Sequence, residues 1–179
     1  MRFSTERLEI RPFMEADLAD VSRIYMDAAT CEFLLHDAWT EETMRENFAK
    51  KLEHTTLAPG GNVSLAVVHN GEVIGDLSAW YTEMKDTVEI GYSFYHGAAG
   101  HGFAQEAVRG LLEALVRERG VHRIQATLDA RNVGSKKLCE RVGMRQEAHF
   151  IKDYWNKGEW TDSYVFGVLG DEIIVGTNE

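Results

Sequence analysis

A short glycine-rich segment, residues 100–104, separates a strand-like run from an amphipathic helix. The run of residues 87–95 alternates apolar side chains, the helix is predicted over residues 104–119, and a second strand-like run follows at residues 122–128. Because a strand-helix-strand connection in one sheet places its strands parallel, the glycines should lie at the carboxyl end of the first strand. Ligands of open α/β sheets bind at that end, so this segment is the first candidate site.

The rest of the chain predicts further strands and helices around this unit. Asn70-Gly71 joins two apolar runs and is the strongest short signal for a β-hairpin. Thr40 is the candidate N-cap of the second helix, and Gly120 ends the amphipathic one. We predict an α/β fold, of the α+β kind, with one mixed sheet in the order β-α-α-β-β-β-α-β-α-β-β. The remaining elements are strand 8–13, helices 14–28 and 40–52, strands 64–69 and 72–81, helix 133–142, and strands 144–154 and 160–169.

Length and composition bound the class of protein. With 179 residues, 20.2 kDa, 44% hydrophobic and 27% charged residues, the chain is predicted to form one domain over residues 1–179 with its core at about 6–170. No run approaches the ~20 apolar residues of a membrane helix, and the first residues lead into charge, so we expect a cytoplasmic protein with no membrane partner. The net charge of −10 argues against nucleic acid, whose phosphates need a basic face.

Cysteine and histidine spacing does not indicate a metal site. Cys31 and Cys139 lie far apart and form no Cys-x-x-Cys pair. The seven histidines include no His-x-x-x-His pair on a predicted helix. We therefore expect neither a bound metal nor a disulfide framework.

The glycine-rich segment has the chemistry of a phosphate-binding loop. Gly100 and Gly102 let the backbone turn tightly, and the first helical turn offers N–H groups that lack intrahelical partners. The segment lacks the Gly-Lys-[Ser/Thr] of a nucleotide P-loop and is not a good Rossmann fingerprint. Taken alone, it fits a phosphate site and a plain tight connection equally well.

Six motifs follow one another along the chain in a characteristic order. They are Glu89-Ile90-Gly91-Tyr92, Gly100-His101-Gly102-Phe103-Ala104-Gln105-Glu106-Ala107, His122-Arg123-Ile124, Asn132-Val133-Gly134-Ser135, Glu140-Arg141-Val142-Gly143-Met144 and Asn156-Lys157-Gly158-Glu159-Trp160-Thr161-Asp162. Together with the opening residues 5–13, they resemble the GNAT superfamily of acetyl-CoA-dependent N-acetyltransferases, and more narrowly its ribosomal-protein N-terminal acetyltransferase branch. The resemblance spans nearly the whole chain and implies a GNAT-like sheet with a splayed parallel strand pair.

The resemblance implies that the glycine segment and the strand before it bind coenzyme A. The pyrophosphate would lie on backbone N–H groups of residues 100–104, and the pantetheine arm would pair with the strand edge near Phe94 and Tyr95. The family commonly has Gln or Arg where this chain has Ala99, which predicts weakened binding. The predicted contacts are Phe94, Tyr95, His96, Ala99, Gly100, His101, Gly102, Phe103, Ala104, Asn132, Ser135, Lys136 and Leu138, while Lys136, Lys137 and Arg141 either meet the adenosine 3′-phosphate or form a solvated helix face.

Three side chains are the main candidates for acetyl-transfer chemistry. Ser135 and Asn132, three residues apart at the start of a short helix, lie on one face near its positive end. The resemblance implies that Ser135 supports the departing thiolate and that Asn132 bonds the pantetheine arm, although both also suit a purely structural role at the helix start. Glu89 is either the general base on a central strand or a solvated or ion-paired carboxylate. His96 is a further candidate for a proton relay, or an ordinary turn residue.

Aromatic residues supply the candidate acceptor groove. His36 and Trp39 fall between the first two helices, where the family's groove is walled, and Trp80 adds a further ring. Ring faces attract a cationic amine, although tryptophans also pack in cores. The leading hypothesis is an enzyme that acetylates a primary amine by direct attack in a ternary complex, the acceptor being a protein N-terminus, a small amine such as a polyamine or aminoglycoside, or an amino-acid-like metabolite. The alternative is a non-catalytic acyl-CoA-binding sensor. The sequence is compatible with both a monomer and a homodimer.

Overall fold

An eight-stranded mixed sheet forms the centre of the computed structural model, which describes residues 1–174. The strands are β1 (Phe3–Ser4), β2 (Glu9–Pro12), β3 (Asn62–His69), β4 (Glu72–Tyr81), β5 (Thr87–Phe94), β6 (Arg123–Asp129), β7 (Arg145–Asn156) and β8 (Glu159–Leu169). The helices are α1 (Leu18–Tyr25), α2 (Ala28–Cys31), α3 (Met44–Glu53), α4 (Phe103–Arg119) and α5 (Val133–Arg141). The strand order in the sheet is β1-β2-β3-β4-β5-β6-β8-β7. This architecture confirms the predicted mixed α/β fold.

Two predicted helices differ from the structure for local reasons. The helix expected over residues 14–28 is interrupted, because Asp27 caps α2 and its carboxylate accepts a hydrogen bond from the Thr30 N–H at 3.2 Å. Thr40 is not the N-cap of the next helix, which begins at Met44 after a turn. A side chain that bonds its own backbone locally thus ends or delays a helix whose apolar pattern continues.

Side chains of the sheet pack into two cores on opposite faces. Along β3, Val63, Leu65 and Val67 belong to one core, whereas Ala66 and Val68 belong to the other, as the alternation of a strand requires. The buried face of α4 packs in the first core, and α1 and α3 pack in the second. None of the helices in residues 1–174 is long and apolar enough to span a membrane.

The parallel strands β5 and β6 separate after three paired positions. Their pairing ends at Glu89 and Gln125. Beyond these residues, β5 remains paired with β4 up to Phe94, and β6 remains paired with β8 up to Asp129. A gap therefore opens between the carboxyl ends of the two strands, which confirms the predicted splayed pair and places the candidate site.

Candidate active site

Two cavities open at the gap between β5 and β6. The loop cavity, about 710 Å³ in volume, is bounded by the end of β5, residues 95–105 and α5. The carboxylate cavity, about 320 Å³, is bounded by Glu89, Trp80, β6 and the β7–β8 hairpin. Both cavities are lined by Phe33, Leu34, Tyr92, Asn132 and Ser135. Ligands in the two cavities would therefore meet at these shared side chains.

Two glycines shape the loop at the start of α4. Gly100 and Gly102 have φ values of 84° and 79°, in the left-handed region that strains side chains of other residues. The helix begins at the next residue, Phe103, and the N–H of Glu106 donates to the Gly102 carbonyl at 3.0 Å. The N–H groups of the first three helical residues have no partner within residues 1–174. They form, with the positive end of the helix dipole, a site suited to an anionic group.

The N-terminal segment fastens this loop to α4. Arg7 donates from Nη1 to the His101 carbonyl at 3.0 Å and from Nε to Glu106 Oε2 at 2.7 Å. Thr5 donates from Oγ1 to Glu106 Oε1 at 2.6 Å. Burial opposes the ionised form, but the hydrogen bonds from Thr5 and Arg7 prevail and lower the pKa of Glu106. This contact was not predicted from the sequence because its partners are 99 residues apart.

Most of the predicted coenzyme A contacts line the loop cavity, but two side chains do not. His101 is outside the lining, and its ring stacks on the Phe103 ring with the centroids 5.6 Å apart. The Lys136 Nζ lies 5.3 Å from the centroid of Tyr164 and also lies outside the lining. Arg141 and the unpredicted Gln105 do line the cavity. The other predicted contacts in the lining are Phe94, Tyr95, His96, Ala99, Gly100, Gly102, Phe103, Ala104, Asn132, Ser135 and Leu138.

Tyr92 joins Ser135 at the wall shared by the two cavities. Its hydroxyl lies 2.8 Å from Ser135 Oγ and 3.1 Å from Cys139 Sγ. Burial and the neighbouring thiol raise the pKa of Tyr92, so this hydroxyl stays protonated at neutral pH. From the sequence, Tyr92 was named only within the motif Glu89-Ile90-Gly91-Tyr92 and was given no part in the chemistry. Its position beside the point where β5 and β6 separate is the signal that could have identified it.

Asn132 and Ser135 start α5 as a capped pair. Asn132 is the N-cap, and its Oδ1 accepts a hydrogen bond from the Ser135 N–H at 3.0 Å. The structural role considered for Asn132 is therefore present. The cap leaves Ser135 Oγ directed to Tyr92, with both residues in the lining of both cavities.

Glu89 lies at the last paired position of β5 and lines the carboxylate cavity. Gln125 on β6 donates from Nε2 to Glu89 Oε2 at 2.9 Å. No Lys, Arg or His in residues 1–174 forms an ion pair with Glu89, so the ion-paired alternative does not describe this carboxylate. The amide of Gln125 fixes its orientation and leaves it able to accept a proton.

The aromatic lining of the carboxylate cavity differs from the prediction. Trp80 lines it, whereas Trp39 is only 7% exposed and stacks on Tyr25 with ring centroids 4.7 Å apart. His36 also lies outside the lining, with its Nδ1 bonded to the Asp37 carbonyl at 2.8 Å. The Trp39 ring packs in the core to which α1 and α3 contribute, as large aromatic rings commonly do. The walls come instead from Phe33, Leu34, Leu35, Trp80 and Tyr154.

Comparison with known proteins places the chain among acetyltransferases. The family model of the acetyltransferase (GNAT) domain matches residues 7–145. The uncharacterized N-acetyltransferase YnaD of Bacillus subtilis (strain 168) is 28% identical over 173 residues, which cover 96% of this chain and 99% of that protein. The crystal structure of an acetyltransferase of the GNAT family from Bacillus anthracis is 27% identical, with a TM-score of 0.85 over 96% of this chain and 99% of that one.

The ribosomal-protein branch is a more distant resemblance. The structure of RimL, a ribosomal L7/L12 alpha-N-protein acetyltransferase in complex with coenzyme A, has a TM-score of 0.82. It covers 94% of this chain and 98% of the other, but the two sequences are only 16% identical. At that identity the likeness shows the shared fold and not a shared acceptor.

Proposed function

Because this chain belongs to the acetyltransferase (GNAT) family and is an acetyltransferase, we propose that it transfers an acetyl group from acetyl-CoA to a primary amine by direct attack in a ternary complex. The observation that carries the proposal is the pair of cavities that meet at Tyr92 and Ser135. One cavity is large enough for a cofactor arm, and the other contains a carboxylate free to take a proton. A sensor that binds only the cofactor would need no second cavity.

The loop cavity fits coenzyme A at two places. The N–H groups at the start of α4, beyond Gly100 and Gly102, suit a pyrophosphate without any lysine. Beyond Glu89, the edge of β5 that faces the gap has no partner strand among residues 1–174, so its backbone is free to pair with the amide groups of a pantetheine arm. The bound cofactor supplies an acetyl thioester, whose C–S bond breaks as the amine nitrogen forms the new C–N bond.

Glu89 is the proposed general base of this reaction. An amine must lose its proton before its nitrogen can attack, and most amines are protonated at neutral pH. The Glu89 carboxylate lines the cavity that would hold the amine, and Gln125 holds one of its oxygens at 2.9 Å. The other carboxylate oxygen is available to take the ammonium proton.

Ser135 is the proposed donor to the departing sulfur. Its Oγ lines both cavities, and the 2.8 Å contact with Tyr92 fixes the direction of its hydroxyl. Because the raised pKa keeps Tyr92 protonated, Tyr92 holds Ser135 in place and does not itself become a phenolate. Asn132 completes this wall by capping the helix that carries Ser135.

A thiol-release assay tests the proposal. The protein is incubated with acetyl-CoA and, one at a time, a peptide with a free N-terminus, a polyamine, an aminoglycoside, an arylalkylamine and an amino acid. We expect at least one amine to release free coenzyme A thiol in step with formation of the N-acetyl product. If the protein binds acetyl-CoA but none of these amines causes release of the thiol, the proposed function is contradicted.

A further inference from the structure

We infer that the acceptor is a primary monoamine with an apolar or aromatic body and no anionic group. This inference deepens the proposed function and rests on it, because it concerns the amine that enters the carboxylate cavity. Three features of that cavity carry it: the sign of the charges that line it, the pairing of those charges, and the apolar character of its walls.

The lining of the carboxylate cavity carries negative charge alone. Glu89 and Asp129 line it, and no Lys, Arg or His of residues 1–174 does. A substrate carboxylate or phosphate would therefore enter without a cationic partner and would face Glu89. Two charges of like sign that share a partly buried cavity repel each other strongly. The cavity thus excludes free amino acids but admits amines that lack the carboxylate.

One of the two carboxylates already has a cationic partner. Both oxygens of Asp129 accept hydrogen bonds from Arg131, from Nε at 3.0 Å and from Nη2 at 2.8 Å. Hydrogen bonds from Arg131 accordingly lower the pKa of Asp129. Arg131 also donates to Glu159 at 2.8 Å, so one guanidinium serves two carboxylates. Within residues 1–174, Glu89 is the lining carboxylate that no Lys, Arg or His pairs, so it suits one ammonium group, whereas a second ammonium would have to compete with Arg131 for Asp129.

The walls favour an apolar body on the amine. Phe33, Leu34, Trp80 and Tyr154 face the same space as Glu89. A volume of about 320 Å³ accommodates a small ring with a short alkyl chain. Contact with these walls stabilises a bound aromatic or alkyl group. A second ammonium would lose its hydration there without gaining a partner.

Two matched pairs of amines test the inference with the wild-type protein and acetyl-CoA. Phenylalaninol and phenylalanine have amines of similar basicity and differ in the carboxylate; pentylamine and putrescine differ in the second ammonium. We expect kcat/KM to be at least about 30-fold higher for phenylalaninol than for phenylalanine, from the repulsion of like charges at short range. We also expect pentylamine to exceed putrescine.

A variant at the cavity mouth adds a gain-of-acceptance test. Leu35 lines the cavity and is 68% exposed, so a longer polar side chain fits there without disturbing the core. Leu35→Arg places a cation where a substrate carboxylate would enter, and Leu35→Gln is the uncharged control. We expect Leu35→Arg to reduce the preference for phenylalaninol at least about 5-fold, and Leu35→Gln to leave it unchanged.

The possible results separate this inference from the proposed function. Equal use of phenylalanine and phenylalaninol, or a preference for putrescine over pentylamine, would overturn the inference while leaving an active acetyltransferase. An equal preference in the Leu35→Arg and Leu35→Gln variants would likewise overturn the charge argument. Release of thiol with none of the amines would overturn the proposed function and, with it, the inference.

Discussion

The Tyr92 hydroxyl lies 2.8 Å from Ser135 Oγ, where β5 and α5 face each other across the wall between the two cavities. Tyr92 comes from the sheet and Ser135 from the first turn of a helix, so two different elements position the two side chains. Their contact lies between the loop cavity and the carboxylate cavity. The proposed chemistry depends on this contact.

Replacing Ser135 by Ala should lower kcat more than cofactor affinity. It removes a hydrogen bond to a developing negative charge, worth about 1.5–3 kcal/mol, which corresponds to a roughly 10- to 150-fold loss. Tyr92→Phe keeps the Ser135 hydroxyl and removes its partner, together with the contact to Cys139 Sγ; the lost hydrogen bond to Ser135, about 0.5–1.5 kcal/mol, predicts a loss of about 2- to 12-fold. Tyr164→Phe is the control, because Tyr164 lines neither cavity. Steady-state kinetics with chemistry limiting would show an unchanged kcat in Ser135→Ala if Ser135 only starts the helix.

Glu89→Gln should impair acetylation of alkylamines more than of α-amines. An alkylamine with a pKa of about 10.4 is almost entirely protonated at pH 7.4, whereas an α-amine near about 7.7 is roughly one-third neutral. The alkylamine therefore depends more on a base, and the defect should shrink as pH rises. The measurement is kcat/KM of mutant and parent from about pH 6.5 to 9.5 with one substrate of each kind. A small ratio that is constant with pH for both substrates would exclude Glu89 as the base.

Gly100→Ala should weaken cofactor binding beyond its effect on stability. Gly100 and Gly71 both have φ of 84° with open space around the missing Cβ, so Ala at either position is strained to a similar degree. Each substitution should destabilise the fold by about 1–2 kcal/mol. Only Gly100→Ala should also reduce the rise in Tm produced by acetyl-CoA, because Gly71 lies in the hairpin turn between β3 and β4. Equal ligand-induced shifts in the two variants would contradict the assignment of the loop.

Glu106→Gln should remove a pH-dependent part of the stability. The hydrogen bonds from Thr5 and Arg7 lower the pKa of Glu106 in the folded state, so this carboxylate contributes stability above the pKa of the unfolded chain, about 4.3. That contribution is lost as pH falls through the lower folded pKa. Urea unfolding of parent and variant should therefore differ most near neutral pH and converge in acid. Glu113→Gln, with only a 3.4 Å contact to Arg109, is the control on the same helix and should show little difference at any pH.

Local patterns predicted the elements well, because strand and helix periods are properties of neighbouring residues. The bounds of β4 are those expected from the Asn70-Gly71 turn and the apolar run after it. Gly102 and Gly120, both with positive φ, bound α4 as their positions indicate. The parallel pair of β5 and β6 followed from the intervening helix alone.

The walls of the site were less accessible to sequence patterns, because contacts between distant segments form them. Tyr154 and Phe33 line the carboxylate cavity, but both are far from Glu89 in the chain, so no local sequence pattern connects them with it. Trp39 shows the converse case: an aromatic residue in a suitable stretch of chain packs into a core or lines a groove according to its tertiary neighbours. Chain order cannot distinguish these two outcomes.

The structure of the protein crystallised with coenzyme A tests the central claim most directly. We predict that the cofactor sulfur lies within about 3.5 Å of Ser135 Oγ, at the wall shared by the two cavities. We also predict that the pyrophosphate accepts hydrogen bonds from the backbone N–H groups of Phe103 and Ala104. Coenzyme A bound with its sulfur away from Ser135, or with its pyrophosphate away from the start of α4, would contradict the account.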